Sequence, residues 1–189
     1  VTSIATRDRW VSDQGFAAAT TSINSSSPFS MDISLAGTTT SIQITDTTPQ
    51  GVVDAINAQG LGIEASLVDT GAGADPFKIL IAGPLGEDYG FTVTTTATGG
   101  NTLSVTTRTS TASNAMLTVN GLSVERSTNT INDLINGATL TLSAPTFSVS
   151  SISVEQNKAD VEARIRGLVD AYNAIEATFD DLVNSESTT

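Results

Sequence analysis

A chain of 189 residues has room for one large or two small domains, and its 39% hydrophobic content is enough for a packed core. The formal net charge of −12, with eight scattered Lys and Arg, argues against binding a phosphate backbone or an anionic membrane surface. The apolar runs are too short to span a bilayer. With no Cys and no His, the chain has no disulfide framework, no Ser-His-Asp or Cys-His nucleophile and no imidazole metal site.

In chain order, residues 1–27 are polar, with Trp10 and Phe16 as the seed of an aromatic cluster and Ser22–Ser27 as loop. Phe29, Met31, Ile33 and Leu35 alternate with Ser30, Asp32 and Ser34, which predicts a half-buried strand. Ile42 and Ile44 repeat the pattern after a turn at Gly37. Thr48 is a helix cap, Pro49 suits the first helical position, Val52, Val53 and Ile56 make an apolar stripe, and Gly60 ends the helix. Further strands are predicted at Ile63–Leu67, Phe77–Ala82, Phe91–Thr96 and Leu103–Thr107, with Asp69–Pro76 as a turn. Asn120-Gly121 between two apolar runs is a strong hairpin signal, because both central residues of a type I′ turn need positive φ. Ile131–Ile135 is expected to be one helical turn, ended by Gly137. Thr139–Leu142 and Phe147–Val154 read as strands.

After Val154 the period changes. Val161, Ile165, Leu168, Tyr172, Ile175, Phe179 and Leu182 recur at alternating spacings of four and three, a heptad seam. Asn157 is the expected N-cap, Asp160 suits the helix start, and Ser185–Thr189 is expected to be disordered. These seven side chains are the candidate helix-packing seam. Each is worth roughly 1.5–3 kcal/mol when buried. No other segment can form a matching long helix. The seam therefore docks on the β-rich region, or its partner lies outside these residues or in another copy of the chain. Starting at Val1 with no Met and no signal-peptide pattern, the chain reads as a trimmed piece of something longer.

Motifs that could carry chemistry are weak. Asp69-Thr70-Gly71 resembles an aspartic-protease loop, but that reaction needs a second such carboxylate. Gly71-Ala72-Gly73-Ala74-Asp75 is a single copy of a pattern that binds calcium only in arrays. Glu87-Asp88 reads as a solvated turn, and Arg7-Asp8-Arg9-Trp10 as exposed charges around one buried ring. No P-loop or dinucleotide fingerprint is present, so no enzyme activity and no cofactor is expected. The fold class is α+β, predominantly β, ending in a long helix.

Two segments carry a family resemblance. Thr47-Thr48-Pro49-Gln50-Gly51-Val52-Val53-Asp54-Ala55-Ile56-Asn57, followed by Gly62-Ile63-Glu64-Ala65-Ser66-Leu67-Val68, resembles the short helix ending in Ile-Asn, then a strand with Ala-Ser, of bacterial flagellar axial proteins. The run Ala115–Leu142, with Asn120-Gly121 and Ile131-Asn132-Asp133-Leu134-Ile135-Asn136-Gly137, is similar to the signature of the flagellar filament cap, or hook-associated protein 2, family. Ala171-Tyr172-Asn173 resembles the start of that family's returning helix. The likeness covers most of 36–183; Asn101–Asn114 has no place in it.

The resemblance implies two β-rich head domains, one inserted in the other: an inner head at 1–37 plus 112–150, an outer head at 38–111, and a helical leg from 151. It implies a structural cap at the distal filament tip, outside the cell, exported without a cleavable signal peptide. Its implied partners are further copies in a ring-like homo-oligomer, flagellin and, for some members, host mucin glycans. The alternatives are a hook–filament junction protein, which shares the Ile-Asn motif, and an adhesin-type glycan-binding module.

Overall fold

The computed structural model describes residues 1–151 and 158–186, with the side chains of 152–160, 181 and 184–186 left undescribed. It divides into two units, Val1–Ser148 and Val149–Thr189. The first is built from strands and one short helix; the second contains a single long helix.

In the first unit, alternation in the sequence becomes alternation of burial. Strand β1 is Arg7–Val11, β2 is Phe29–Leu35 and β3 is Thr38–Ile44. Phe29, Met31 and Ile33 of β2 and Ile42 and Ile44 of β3 are buried on one face. β2 and β3 pair antiparallel from Phe29↔Ile44 to Leu35↔Thr38. Their two-residue turn, Ala36-Gly37, has φ of 49° and 79°, the positive pair a type I′ turn requires.

Helix α1 spans Pro49–Asn57. The Gly51 N–H donates to Thr48 Oγ1 at 3.0 Å, so one free amide of the first turn is satisfied by the cap. Val52, Val53 and Ile56 point into the core. Asn57 then uses its side-chain amide as if it were a strand. It accepts from the Ala65 N–H at 2.8 Å and donates to the Ala65 carbonyl at 3.0 Å. Ile56 fills the core while Asn57 pins the next strand through Ala65, which is the physical content of the Ile-Asn and Ala-Ser pattern.

Strands β4 (Glu64–Asp69), β5 (Phe77–Leu85), β6 (Phe91–Thr95) and β7 (Thr107–Ser110) complete two sheets. Their orders are β4-β5-β1-β7 and β3-β2-β6. One core joins both sheets and α1, with Met31, Ile44, Val52, Ile56, Ile79 and Ile81 fully buried. The boundary expected at 37/38 cuts the β2–β3 hairpin at its turn, and β1 pairs with β5 and β7. Strands of the first 37 residues thus take their partners from 38–111.

Two antiparallel ribbons follow. β8 (Ala115–Val119) pairs with β9 (Leu122–Arg126), and β10 (Thr130–Ile135) with β11 (Ala138–Thr141). Asn120 and Gly121 have φ of 50° and 85°, the expected type I′ geometry. The N-terminal residues close onto this region. Ser3 bridges Met116, and the Asn129 side chain bonds both the N–H and the carbonyl of Ala5, at 2.7 and 2.9 Å.

Several expectations are corrected. Ile131–Ile135 is not a helical turn but most of β10. Five residues cannot nucleate a helix, while Asn136-Gly137 offers a tight turn back to β11. Leu103–Thr107 is not a strand: pairing begins only at Thr107, and Leu103 and Val105 instead bury their side chains from irregular backbone. Described residues 147–151 are not a strand, and Phe147 and Val149 are fully exposed; residues 152–154 lie outside the described part. β1 was read as polar chain with an exposed charge patch, yet it lies inside a sheet and Asp8 is completely buried.

The second unit contains α2, Lys158–Glu186. The helix continues to Glu186, past the start of the expected disordered tail; residues 187–189 and the expected cap Asn157 lie outside the described residues.

Candidate functional site: the seam of the C-terminal helix

All seven predicted seam residues lie on α2. At about 1.5 Å of rise per residue, the stretch from Val161 to Leu182 is about 31 Å long. Their exposure runs from 49% at Val161 to 72% at Leu168, with Tyr172, Ile175, Phe179 and Leu182 between. The seam is wider than the spacing suggested. With Ile165, Tyr172 and Phe179 at a and Val161, Leu168, Ile175 and Leu182 at d, Val169 and Val183 occupy e. Both are at least half exposed. The sequence signal for them was an apolar residue directly after a d position. An a/d stripe widened to e is the apolar face of a helix in a bundle, broader than a two-helix seam needs.

On the polar side, Arg166 reaches back one turn to Glu162, with Nη2 2.8 Å from Oε1. Such an exposed pair contributes only a few tenths of a kcal/mol. Thr178 Oγ1 donates to the Ala174 carbonyl at 2.8 Å.

The first unit has its own polar centre, which sequence reasoning missed. Asp8 on β1 accepts from Arg108 Nε at 2.6 Å and Nη2 at 2.7 Å, and from the Phe91 N–H at 2.9 Å. The Arg108 guanidinium lies 5.4 Å from the centre of the Trp10 ring, whose Nε1 donates to the Phe91 carbonyl at 3.1 Å. Burial pushes the Asp8 carboxyl up, but the Arg108 hydrogen bonds and charge, with the Phe91 amide, outweigh it and hold the group below the ordinary carboxylate range. Hydrogen bonding to Asp8 raises Arg108 in turn.

A second carboxylate, Asp13, receives the hydroxyls of Ser104, Thr106 and Thr107 and the amides of Thr106 and Thr107. Its desolvation raises the pKa, while these donors lower it far more. Asp8 and Asp13 together tie down residues 104–108, in the stretch that has no place in the family resemblance. Among the described residues no group of three or more His, Cys, Asp or Glu could hold a metal, and no helix is long and apolar enough to cross a membrane.

A strand-rich unit and a long helix with a broad exposed apolar stripe define the class of a structural protein. Known proteins agree. Residues 112–189 match the family model described as flagellar hook-associated protein 2 C-terminus. The flagellar hook-associated protein 2 of Salmonella typhimurium is 35% identical over 72% of this chain, which spans 31% of that relative's length. The crystal structure of the flagellar cap protein FliD D1-D2-D3 domains from Escherichia coli matches with a TM-score of 0.73 and 25% identity, over 96% of this chain and 58% of that one. That of the flagellar cap protein FliD from Bdellovibrio bacteriovorus matches with a TM-score of 0.67 and 26% identity, over 78% of this chain and 86% of that one. The chain belongs to the flagellar hook-associated protein 2 family.

Proposed function

We propose that this chain is the head region and the start of the leg helix of a cap at the distal tip of the bacterial flagellar filament. There it retains exported flagellin and promotes its folding into the growing end. The observation that carries this reading is the likeness, over 96% of the chain, to the Escherichia coli flagellar cap protein. Its role is structural rather than catalytic, its place is outside the cell, and it arrives through the flagellar channel without a cleavable signal peptide. It assembles as a ring-like homo-oligomer.

Within this reading the outer head is residues 38–111 together with β1 and β2, which complete its sheets. The inner head is built on residues 1–6 and the two ribbons β8–β9 and β10–β11. The leg begins near residue 151, and its seam packs against helices of the same assembly. Host mucin glycans are a secondary partner in this proposal; a glycan array on which the protein binds no sugar removes them.

Deletion of the gene is the test. The deletion strain is expected to lose its filaments and to shed flagellin into the medium. The full-length protein restores filaments, whereas the same protein with Tyr172→Asp and Ile175→Asp does not. Filaments of normal length in the deletion strain would overturn the proposal.

A further inference from the structure

An open β-sheet leaves a row of unpaired backbone groups along each edge strand, and folded proteins cover or break that row. Here the edge strands are β4 and β7 in one sheet and β3 and β6 in the other. β4 is capped where the Asn57 side chain takes both backbone groups of Ala65. β6 is capped where Asp8 accepts from the Phe91 N–H and Trp10 Nε1 donates to the Phe91 carbonyl. β7 is short, carries Arg108, and shifts register against β1. β3 has none of these devices.

β3 is seven residues long, Thr38–Ile44, with no charged residue, no Pro and no Gly. Its register with β2 runs unbroken from Leu35↔Thr38 to Phe29↔Ile44. The two-residue turn makes Leu35↔Thr38 a pair that exchanges both backbone bonds, and every second pair does the same. The backbone groups of Ser30 must then face β6, and the Thr96 N–H does donate to the Ser30 carbonyl at 2.9 Å. By the same alternation the N–H and C=O groups of Thr39, Ser41 and Gln43 point away from β2. All three residues are exposed, and among the described residues these backbone groups have no hydrogen-bond partner.

We propose that β3 is a docking edge for an extended, uncharged peptide segment, which adds an antiparallel strand to the β3-β2-β6 sheet. Main-chain bonds to Thr39, Ser41 and Gln43 supply the binding, and alternate side chains supply the selection. On the outer face the peptide meets the side chains of Thr39, Ser41 and Gln43, which suit Ser, Thr, Asn or Gln. On the other face it meets the half-buried Thr40 beside the buried Ile42, which suits Val, Ile or Thr. A second folded copy is the poorer occupant. Two β3 strands set edge to edge touch along about 24 Å, at about 3.4 Å per residue. That strip is too narrow to give the roughly 800 Å² per partner of a stable interface. Two copies, each with a net charge of −12, also repel each other. The proposal goes beyond the role at the filament tip, rests on the sheet edge alone, and can fail without touching that role.

The test uses the 189-residue chain and two short synthetic peptides of alternating Thr and Val, one N-methylated at every Val and the other at every Thr. Opposite Thr39, Ser41 and Gln43, the peptide's Thr residues turn their N–H groups toward β3, and its Val residues turn theirs outward. The Val-methylated peptide should therefore bind at least about tenfold more tightly than the other. It should slow amide exchange at Thr39, Ser41 and Gln43, and keep its affinity as salt rises, because neither edge is charged. Ser41→Pro removes one N–H from the free edge without touching a bond to β2, and should weaken binding about tenfold while circular dichroism shows the fold intact. Failure of both peptides to bind, equal binding of the two, or protection confined to residues outside β3 overturns the proposal. So does protection of Thr39, Ser41 and Gln43 that grows with protein concentration in the absence of peptide, which assigns the edge to a second copy.

Discussion

Replacing Arg108 with Met removes one half of the Asp8–Arg108 pair and keeps most of the aliphatic contact with Trp10. It leaves a carboxylate that is completely buried and retains only the Phe91 amide of its three charge-assisted donors. Breaking a buried pair in this way costs roughly 3–5 kcal/mol. Because the Arg108 side chain is 38% exposed, water can enter the vacated site, and the cost falls to about 2–3 kcal/mol. With a urea slope of about 2 kcal/mol per molar, the midpoint should drop by about 1–1.5 M. The double variant Asp8→Asn, Arg108→Met should be more stable than Arg108→Met alone, since no buried charge is left behind. The loss is also pH-dependent. Asp8 titrates below its unfolded value of about 3.9, so its contribution is complete above that value and is lost as pH falls through the folded one. The stability gap between Arg108→Met and the unaltered chain should therefore narrow under acid. A midpoint shift below about 0.3 M, or losses that simply add in the double variant, would refute the assignment of Asp8 and Arg108 as a coupled pair.

Asn57→Ala removes both hydrogen bonds to Ala65 and leaves that backbone N–H and carbonyl unsatisfied, for a loss of about 1–3 kcal/mol in chemical denaturation. Gly51→Ala sets two effects against each other: alanine gains about 1 kcal/mol of helix propensity, but its Cβ would lie 2.2 Å from the Asp46 carbonyl oxygen. The clash is with backbone and must win, so the thermal midpoint should fall. Asp13→Ala frees the backbone at Thr106 and Thr107, and faster amide exchange confined to that stretch is the expected signature. The lowered Asp13 group contributes its stability above the unfolded carboxyl value, so this difference too should vanish under acid.

Where burial alternates or a turn needs one special residue, the sequence was legible. β2, α1 and the Asn120-Gly121 hairpin follow from side-chain period and from the backbone freedom of a few positions. β1 was hidden because its strand carries Arg7, Asp8 and Arg9, residues that a propensity argument sends to the surface. Only a partner a hundred residues away, Arg108, makes Asp8 tolerable inside, and no local pattern announces such a pairing. β10 failed for a related reason. Ile131, Leu134 and Ile135 fit one helical turn as well as they fit an irregular strand, and the irregular pairing between Ile131 and Ile135 decides for the strand. The helix seam was the opposite case: its spacing is a property of α2 alone and needs no distant residue to be read.

The two units answer different questions about stability. In the first, the large apolar side chains of both sheets and α1 lie in one closed core, and buried charges are paired. Changes there should be read in unfolding free energy. In α2 no described side chain is buried, and each large apolar residue of the seam would contribute roughly 1.5–3 kcal/mol on burial. A helix of this kind has little tertiary packing of its own, and packing rather than propensity stabilises most helices. Gly167, inside the helix with open space around it, lowers that propensity further. Substitutions along the seam should therefore leave the unfolding of the first unit unchanged and appear only in association. A seam variant such as Ile175→Asp that lowered the unfolding midpoint of residues 1–148 would show the division to be false.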